Sequence, residues 1–333
     1  MVKRFFILMV VFSTVLMLFN SKEKNDKING VNLVSPSKKV DSIHFSKLNR
    51  INTGWVGIVP YAFSRQGEPK VIFDNSHQWW GESSAGTGEM IRLAQKNGFK
   101  VMLKPHVWMR GGWIGEFELH SENDWHQWEA EYEKYILNFA TIAESLNVEM
   151  FCIGTEYKMA ATQRPNYWYE LIRKVRAVYS GKLTYGANWD NYENIIFWDK
   201  LDYIGIDAYF PLVDDFHPPI QSMESAWKKT ALNIKDFSEK FNKPILFTEY
   251  GYQSVNGAAG EHWKVKKDTP NLNMQLQSEA YECLYKTIWK ESWVAGGFLW
   301  KWHLHENRGG LQNPDWTPQG KPAEEVIARF YAK

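Results

Sequence analysis

From about residue 30 onward, short apolar runs alternate with longer stretches in which apolar positions recur every three to four residues. The first pattern is that of strands buried on both faces, and the second that of helices with one buried stripe. The runs place strands at 30–34, 53–60, 100–104, 148–153, 182–187, 203–208, 244–248 and 294–300. The amphipathic stretches place helices at 41–49, 87–97, 125–146, 165–179, 223–241, 276–291 and 322–331. Punctuation agrees with these bounds. Thr87 or Gly88 opens one helix and Asn97-Gly98 stops it; Asp124 caps another; Pro165 sits in a first turn and Gly181 follows that helix. Residues 106–115 read as a loop with Trp108 and Trp113, and a Pro-rich loop spans 211–219.

Strands alternating with helices predict the α/β class and a parallel sheet. Eight such strands close into a single (β/α)8 TIM barrel. The competitor is an open doubly wound sheet, which usually carries a Gly-rich phosphate loop after its first strand. Here Ser35-Pro36-Ser37 follows instead. Without a linker or internal repeat, 30–333 forms one catalytic domain. Residues 1–29 read differently: Lys3 and Arg4 precede an apolar run at 5–19 and a polar exit at 20–29. That is a signal peptide or an N-terminal membrane anchor, and it predicts an exported protein: secreted, periplasmic or membrane-anchored. The run is short for a membrane span, and no small-residue cleavage motif follows it.

Length and composition narrow the function. A chain of 333 residues has ample core and needs no staple. A formal charge of +1 with no basic stripe argues against nucleic acid. Cys152 lies in a strand and Cys283 in a helix, which makes neither a metal site nor a disulfide framework. His303 and His305 stand beside Glu306 without a third ligand at sensible spacing, so no metal is expected, and no cofactor motif is found. The unusual feature is 17 Trp with 16 Tyr and 19 Phe. Core packing absorbs many of these, but flat sugar faces stack on Trp and Tyr, so the excess favours a carbohydrate ligand.

Barrel enzymes work at the C-terminal ends of their strands. Two glutamates end otherwise apolar strands there: Glu156 after Met-Phe-Cys-Ile-Gly-Thr and Glu249 after Pro-Ile-Leu-Phe-Thr. A carboxylate in that position is solvated, paired or functional. A structural salt bridge is the competing reading for one of them; two, on the fourth and seventh strands of a Trp-rich barrel, favour a catalytic pair. Retaining glycoside hydrolysis needs such a pair about 5–5.5 Å apart and inverting hydrolysis about 6.5–9.5 Å.

The segments CIGTEY (152–157), DYIGIDAYFPL (202–212), ILFTEYGY (245–252) and GGFLWKWH (296–303) resemble glycoside hydrolase family 113, a family with β-1,4-mannanases, within the retaining (β/α)8 glycosidase clan. The resemblance covers most of 30–333. It implies Glu156 as general acid/base and Glu249 as nucleophile. Glu156 must then be protonated at first and Glu249 ionised, with Tyr209 as its hydrogen-bond donor. One position departs from the clan, where many members carry Asn before the acid/base; here it is Thr155, so contact with the sugar 2-hydroxyl falls to another residue such as Asn188. Trp300 is the expected sugar platform. Asn188, Trp189, His106 and Lys104 are candidates to bind hydroxyls or order the carboxylates, with a structural hydrogen bond or ion pair as the alternative for His106 and Lys104. Asp207 either faces the site or anchors a loop. Trp108 and Trp113, and more weakly Trp79 and Trp80, are candidates for outer subsites.

The expected protein is thus an exported, monomeric, endo-acting β-mannanase acting on an oligo- or polysaccharide. Another clan β-glycanase, such as a glucanase or galactanase, is the alternative among enzymes. A barrel that binds glycans without cleaving them is the alternative outside them.

Overall fold

A computed structural model describes residues 27–261, 264, 271–305 and 308–333. The predicted leader and Glu306 lie outside these, except for residues 27–29. The strands are β1 (Ile28–Leu33), β2 (Trp55–Ile58), β3 (Tyr61–Arg65), β4 (Lys100–Leu103), β5 (His106–Arg110), β6 (Met150–Thr155), β7 (Lys182–Asn188), β8 (Ile204–Asp207), β9 (Ile245–Tyr250) and β10 (Val294–Trp302). The α-helices are α1 (Ser42–Ser46), α2 (Ser84–Lys96), α3 (Glu122–Ser145), α4 (Lys158–Gln163), α5 (Pro165–Val178), α6 (Ile220–Phe241), α7 (Met274–Thr287) and α8 (Pro322–Tyr331). Eight strands close in the order β1-β10-β9-β8-β7-β6-β4-β2, all in parallel pairs. The barrel is therefore the predicted (β/α)8 architecture.

Each barrel strand overlaps its predicted run, because nearly every strand position is buried and the run is the only pattern that burial leaves. Helix ends shifted where a different residue won the cap. Ser121, not Asp124, caps α3, its hydroxyl accepting from the Asp124 amide at 3.1 Å. Ser83 caps α2 a turn earlier than Thr87. Between β7 and β8 the connection holds only two short 3-10 turns, Tyr192–Asn194 and Phe197–Lys200.

One region differs in kind. Residues 106–115, read as a loop, begin with β5, which pairs in parallel with β3 as a separate two-stranded sheet. Along β5 the side chains alternate: Val107 and Met109 are buried, Trp108 and Arg110 exposed. Pro105 divides β5 from β4, so strand pairing resumes after a break that the sequence marks as an ending.

The barrel interior is layered. Ile28, Met102, Met150, Cys152, Leu246 and Phe298 form an apolar plug. Toward the strand C-termini the inward residues become polar: Asn32, Lys104, Asp207, Thr248 and Glu249, all buried. Outside the strands, Trp128, Tyr132, Tyr157 and Trp168 pack as one aromatic cluster among α3, α5 and β6. Much of the tryptophan excess is spent there and at Trp198, Trp227 and Trp302, which are also fully buried. Both cysteines are buried and free. No helix among the described residues is long and apolar enough to cross a membrane.

Candidate active site

A cavity of about 900 Å³ opens over the C-terminal ends of the strands. Glu156 and Glu249 both line it. So do His106, Trp108, Asn188, Trp189, Tyr209 and Trp300 among the residues singled out from sequence. Lys104 and Asp207 do not line it; both are fully buried. Trp79 and Trp80 also stay out of it, with Trp79 half exposed elsewhere on the surface.

Glu156 follows the last residue of β6 in a left-handed conformation, φ 53°. Such a φ costs a non-glycine residue on the order of 1 kcal/mol and tends to persist where the surroundings impose it. Here the Glu156 amide donates to the Gly186 carbonyl at 2.7 Å, and the Lys158 amide donates to the Glu156 carbonyl at 2.7 Å. The Trp113 indole Nε1 donates to Glu156 Oε2 at 2.8 Å. Burial, with the nearby Asp207 and Glu249 charges, pushes the Glu156 carboxyl up to about 8. It is mainly protonated at neutral pH.

Glu249 is held on both oxygens. Tyr209 donates to Oε2 at 2.7 Å. The Lys104 ammonium donates to Oε1, and His106 Nε2 lies 3.2 Å from that same oxygen. Burial pushes this carboxyl up, but the Lys104 charge and the His106 contact outweigh it and hold Glu249 down at about 2. It is ionised. Lys104 in turn sits in a dry interior that would strip its proton; Asp207 and Glu249 together reverse that and keep it charged. His106 is pushed down by burial and by the Lys104 charge, which leaves its ring neutral. Its plane lies parallel to Trp300, 5° apart, with ring centroids at 6.0 Å.

Asp207 completes the floor. Its Oδ1 accepts from Thr248 Oγ1 at 2.7 Å and from Lys104 at 3.2 Å. Lys104 and Asp207 thus meet Glu249 beneath the cavity and not a ligand within it. For Lys104 this is the ion-pair alternative held open from sequence.

Three wall residues escaped the shortlist or arrived in another role. Tyr61 lines the cavity and packs edge-on against His106 at 5.1 Å. Trp316 lines it from the irregular segment after β10, 5.0 Å from the Tyr209 ring. It has no periodicity around it; a tryptophan between Asp315 and Thr317-Pro318 in a non-helical stretch was the only available signal. Trp113, expected in an outer subsite, touches Glu156 itself. Asn188 donates to Asp190 at 2.8 Å, and Asp190 pairs with Lys158 at 2.7 Å, so the amide is oriented from behind.

One protonated and one ionised carboxyl facing one aromatic-walled cavity is what acid-assisted displacement at an acetal carbon requires. The comparisons with known proteins point the same way. The model of Glycoside Hydrolase Family 113 matches residues 38–321. A solved structure of a family 113 β-1,4-mannanase complex is 28% identical, with TM-score 0.81, covering 92% of this chain and 99% of that one. The family 113 β-mannanase of Alicyclobacillus acidocaldarius, solved with ManMIm, is 26% identical, with TM-score 0.80, covering 92% of this chain and 97% of that one. A Ruminococcus gnavus β-glucuronidase shares the fold alone, at 15% identity and TM-score 0.62, over 92% of this chain and 50% of that one. The search of curated proteins gives no significant sequence match. Barrel, carboxylate pair and family match converge: the chain belongs to glycoside hydrolase family 113.

Proposed function

We propose that the protein is a retaining β-mannanase, with Glu249 as nucleophile and Glu156 as acid/base. The observation that carries the mechanism is the unequal setting of the two carboxyls on one cavity: Lys104 and Tyr209 favour charge on Glu249, while burial raises Glu156, which pairs with no cation among the described residues. An inverting enzyme needs its second carboxylate free to take a proton from water, and both oxygens of Glu249 are already engaged, one by Tyr209 and the other by Lys104. A nucleophile has only to be ionised and fixed, and Tyr209 and Lys104 fix Glu249 on both oxygens. In the first step Glu249 attacks the anomeric carbon while the Glu156 proton passes to the leaving glycosidic oxygen. In the second, water attacks that carbon, gives its proton to Glu156 and displaces Glu249 as carboxylate.

The choice of mannan rests on the two similar family 113 structures, both β-mannanases, and on a cavity walled by Trp108, Trp113, Trp300 and Trp316, suited to a chain of flat sugar faces. The basic and apolar run at residues 3–19 supports an enzyme that acts outside the cytoplasm. Proton NMR of the first product formed from mannopentaose tests the mechanism. A β-anomer is expected, and an initial α-anomer overturns retention. A panel of β-mannan, glucomannan, xylan and β-glucan tests the substrate. Faster release from xylan or β-glucan than from mannan moves the enzyme to the glucanase side of its clan.

A further inference from the structure

The mechanism above uses Glu156 and Glu249 and leaves a third buried carboxyl unemployed. Asp207 ends β8 with no exposed surface. Titratable or polar groups face it from several elements: Tyr61 on β3, Lys104 after β4, Cys152 on β6 with Glu156 following it, Tyr185 on β7, Tyr209 after β8, and Thr248 and Glu249 on β9. Of its two oxygens, Oδ1 takes both donors, while buried Oδ2 has no hydrogen-bond partner among the described residues. A fully buried carboxylate oxygen without a donor is costly, and protonation relieves that cost. Lys104 has two carboxyls within reach, Asp207 and Glu249.

The reaction changes that count. When Glu249 forms the bond to the anomeric carbon, its carboxylate becomes a neutral ester. Lys104 then loses one of its two counter-ions in an interior that does not tolerate an unpaired ammonium. Asp207, 3.2 Å away, is the carboxyl that remains in contact. The second displacement then needs Lys104 charged, because negative charge returns to Glu249 Oε1 as the ester bond breaks, and a fixed ammonium at that oxygen stabilises it.

We propose that Asp207 is a positioning residue that carries on alone as carboxylate counter-ion of Lys104 while Glu249 is esterified, so that Lys104 stays charged for release of the glycosyl-enzyme. The inference rests on the retaining reading. The atoms balance without a further reactant. Step one forms the Glu249–carbon bond and breaks the glycosidic bond, with the Glu156 proton leaving on the sugar oxygen. Burial and the Glu249 charge both raise the Asp207 carboxyl while Lys104 lowers it; esterification removes the Glu249 contribution, so Asp207 is held more firmly as the anion beside Lys104. Step two forms the water–carbon bond, breaks the ester and returns a proton to Glu156. Asp207 recovers its first state when Glu249 is again a carboxylate.

The role predicts an effect confined to the second step. Lys104 stabilises ionised Glu249, which does not help the first displacement and assists the second. Rapid-quench or stopped-flow hydrolysis of 2,4-dinitrophenyl β-mannobioside separates the steps, since dinitrophenolate leaves without acid help and the first step becomes fast. For Asp207→Asn, the steady-state rate is expected to fall roughly tenfold or more, with the burst rate within about threefold of wild type and KM falling together with kcat. Burst amplitude counts only competent sites, so a partly misfolded sample does not imitate this split. Thr248→Val removes a donor to Asp207 and should give the same split at smaller size. Equal slowing of burst and steady state, or no slowing of either, overturns the proposal while leaving retention intact. An inverted first product overturns retention and the proposal with it.

Discussion

The floor of the cavity and its rim follow different rules. On the floor, Lys104 lies within hydrogen-bond distance of both Asp207 and Glu249, and all three have almost no exposure. At the rim, the β3–β5 sheet sets Trp108 half exposed opposite Phe63, in the same register that pairs Tyr61 with His106 at the inner end. Charges on the floor act through a dry interior, where each governs the protonation of the others. Aromatic faces at the rim act through contact area, and water competes for every one of them. The floor should therefore decide whether the bond breaks, and the rim how long a glycan is held.

Removing the proposed nucleophile should produce the largest effect. Glu249→Ala is expected to lower kcat by on the order of 10⁴-fold or more, with added azide restoring part of the turnover as a glycosyl azide of inverted configuration. Full activity without an azide product would move the chemistry off the floor. Lys104→Met comes next, at roughly 10²–10³-fold in kcat. It also tests the sign of the electrostatics: without the ammonium the Glu249 carboxyl rises, so the acid limb of the pH profile should move toward neutrality. An unmoved acid limb would reduce Lys104 to a structural residue.

Glu156, the proposed acid, lies between the two regions, and its pH dependence should report how they join. Glu156 must carry its proton for the first step, so kcat/KM should fall as pH rises through about 8. The Trp113 hydrogen bond favours the ionised form, so Trp113→Phe should move that basic limb to higher pH, with a small loss of rate at pH 6. A shift to lower pH would mean that the indole does not act on this carboxyl. The smallest effect belongs to the outer rim. Trp108→Ala should cost about 0.5–1.5 kcal/mol, or about two- to thirteenfold in kcat/KM on mannan, with little change on a short aryl glycoside. Equal losses on both would place Trp108 in the floor's business and erase the distinction.

The two regions also differ in how far they could be read from the chain. The glutamates were legible because each ends an apolar run, where a carboxylate is out of place. Tyr209 was legible as the donor to Glu249. The second sheet was not. Pro105 looks like an ending, and the alternation of His106 through Arg110 is too short to stand out among glycines and tryptophans. Nor was the role of Trp113, since its contact with Glu156 crosses a chain separation of 43 residues. Trp316 joins the wall from a segment with no repeating pattern.

The sequence by itself determined the periodicity, hence the eight parallel strands, and the two carboxylates at their ends. Periodicity is local, and burial on both faces leaves few other ways to write a strand. Only the tertiary structure decided which strand-end side chains turn beneath the cavity and which turn into it. Lys104 meets Asp207 across 103 residues and Glu249 across 145. The physical reason is that desolvation and Coulomb energy depend on distance and surrounding medium, not on separation along the chain. A lysine that read as a possible sugar ligand became, once dry and adjacent, the group that holds Glu249 ionised, and the aspartate beside it the second counter-ion of that lysine.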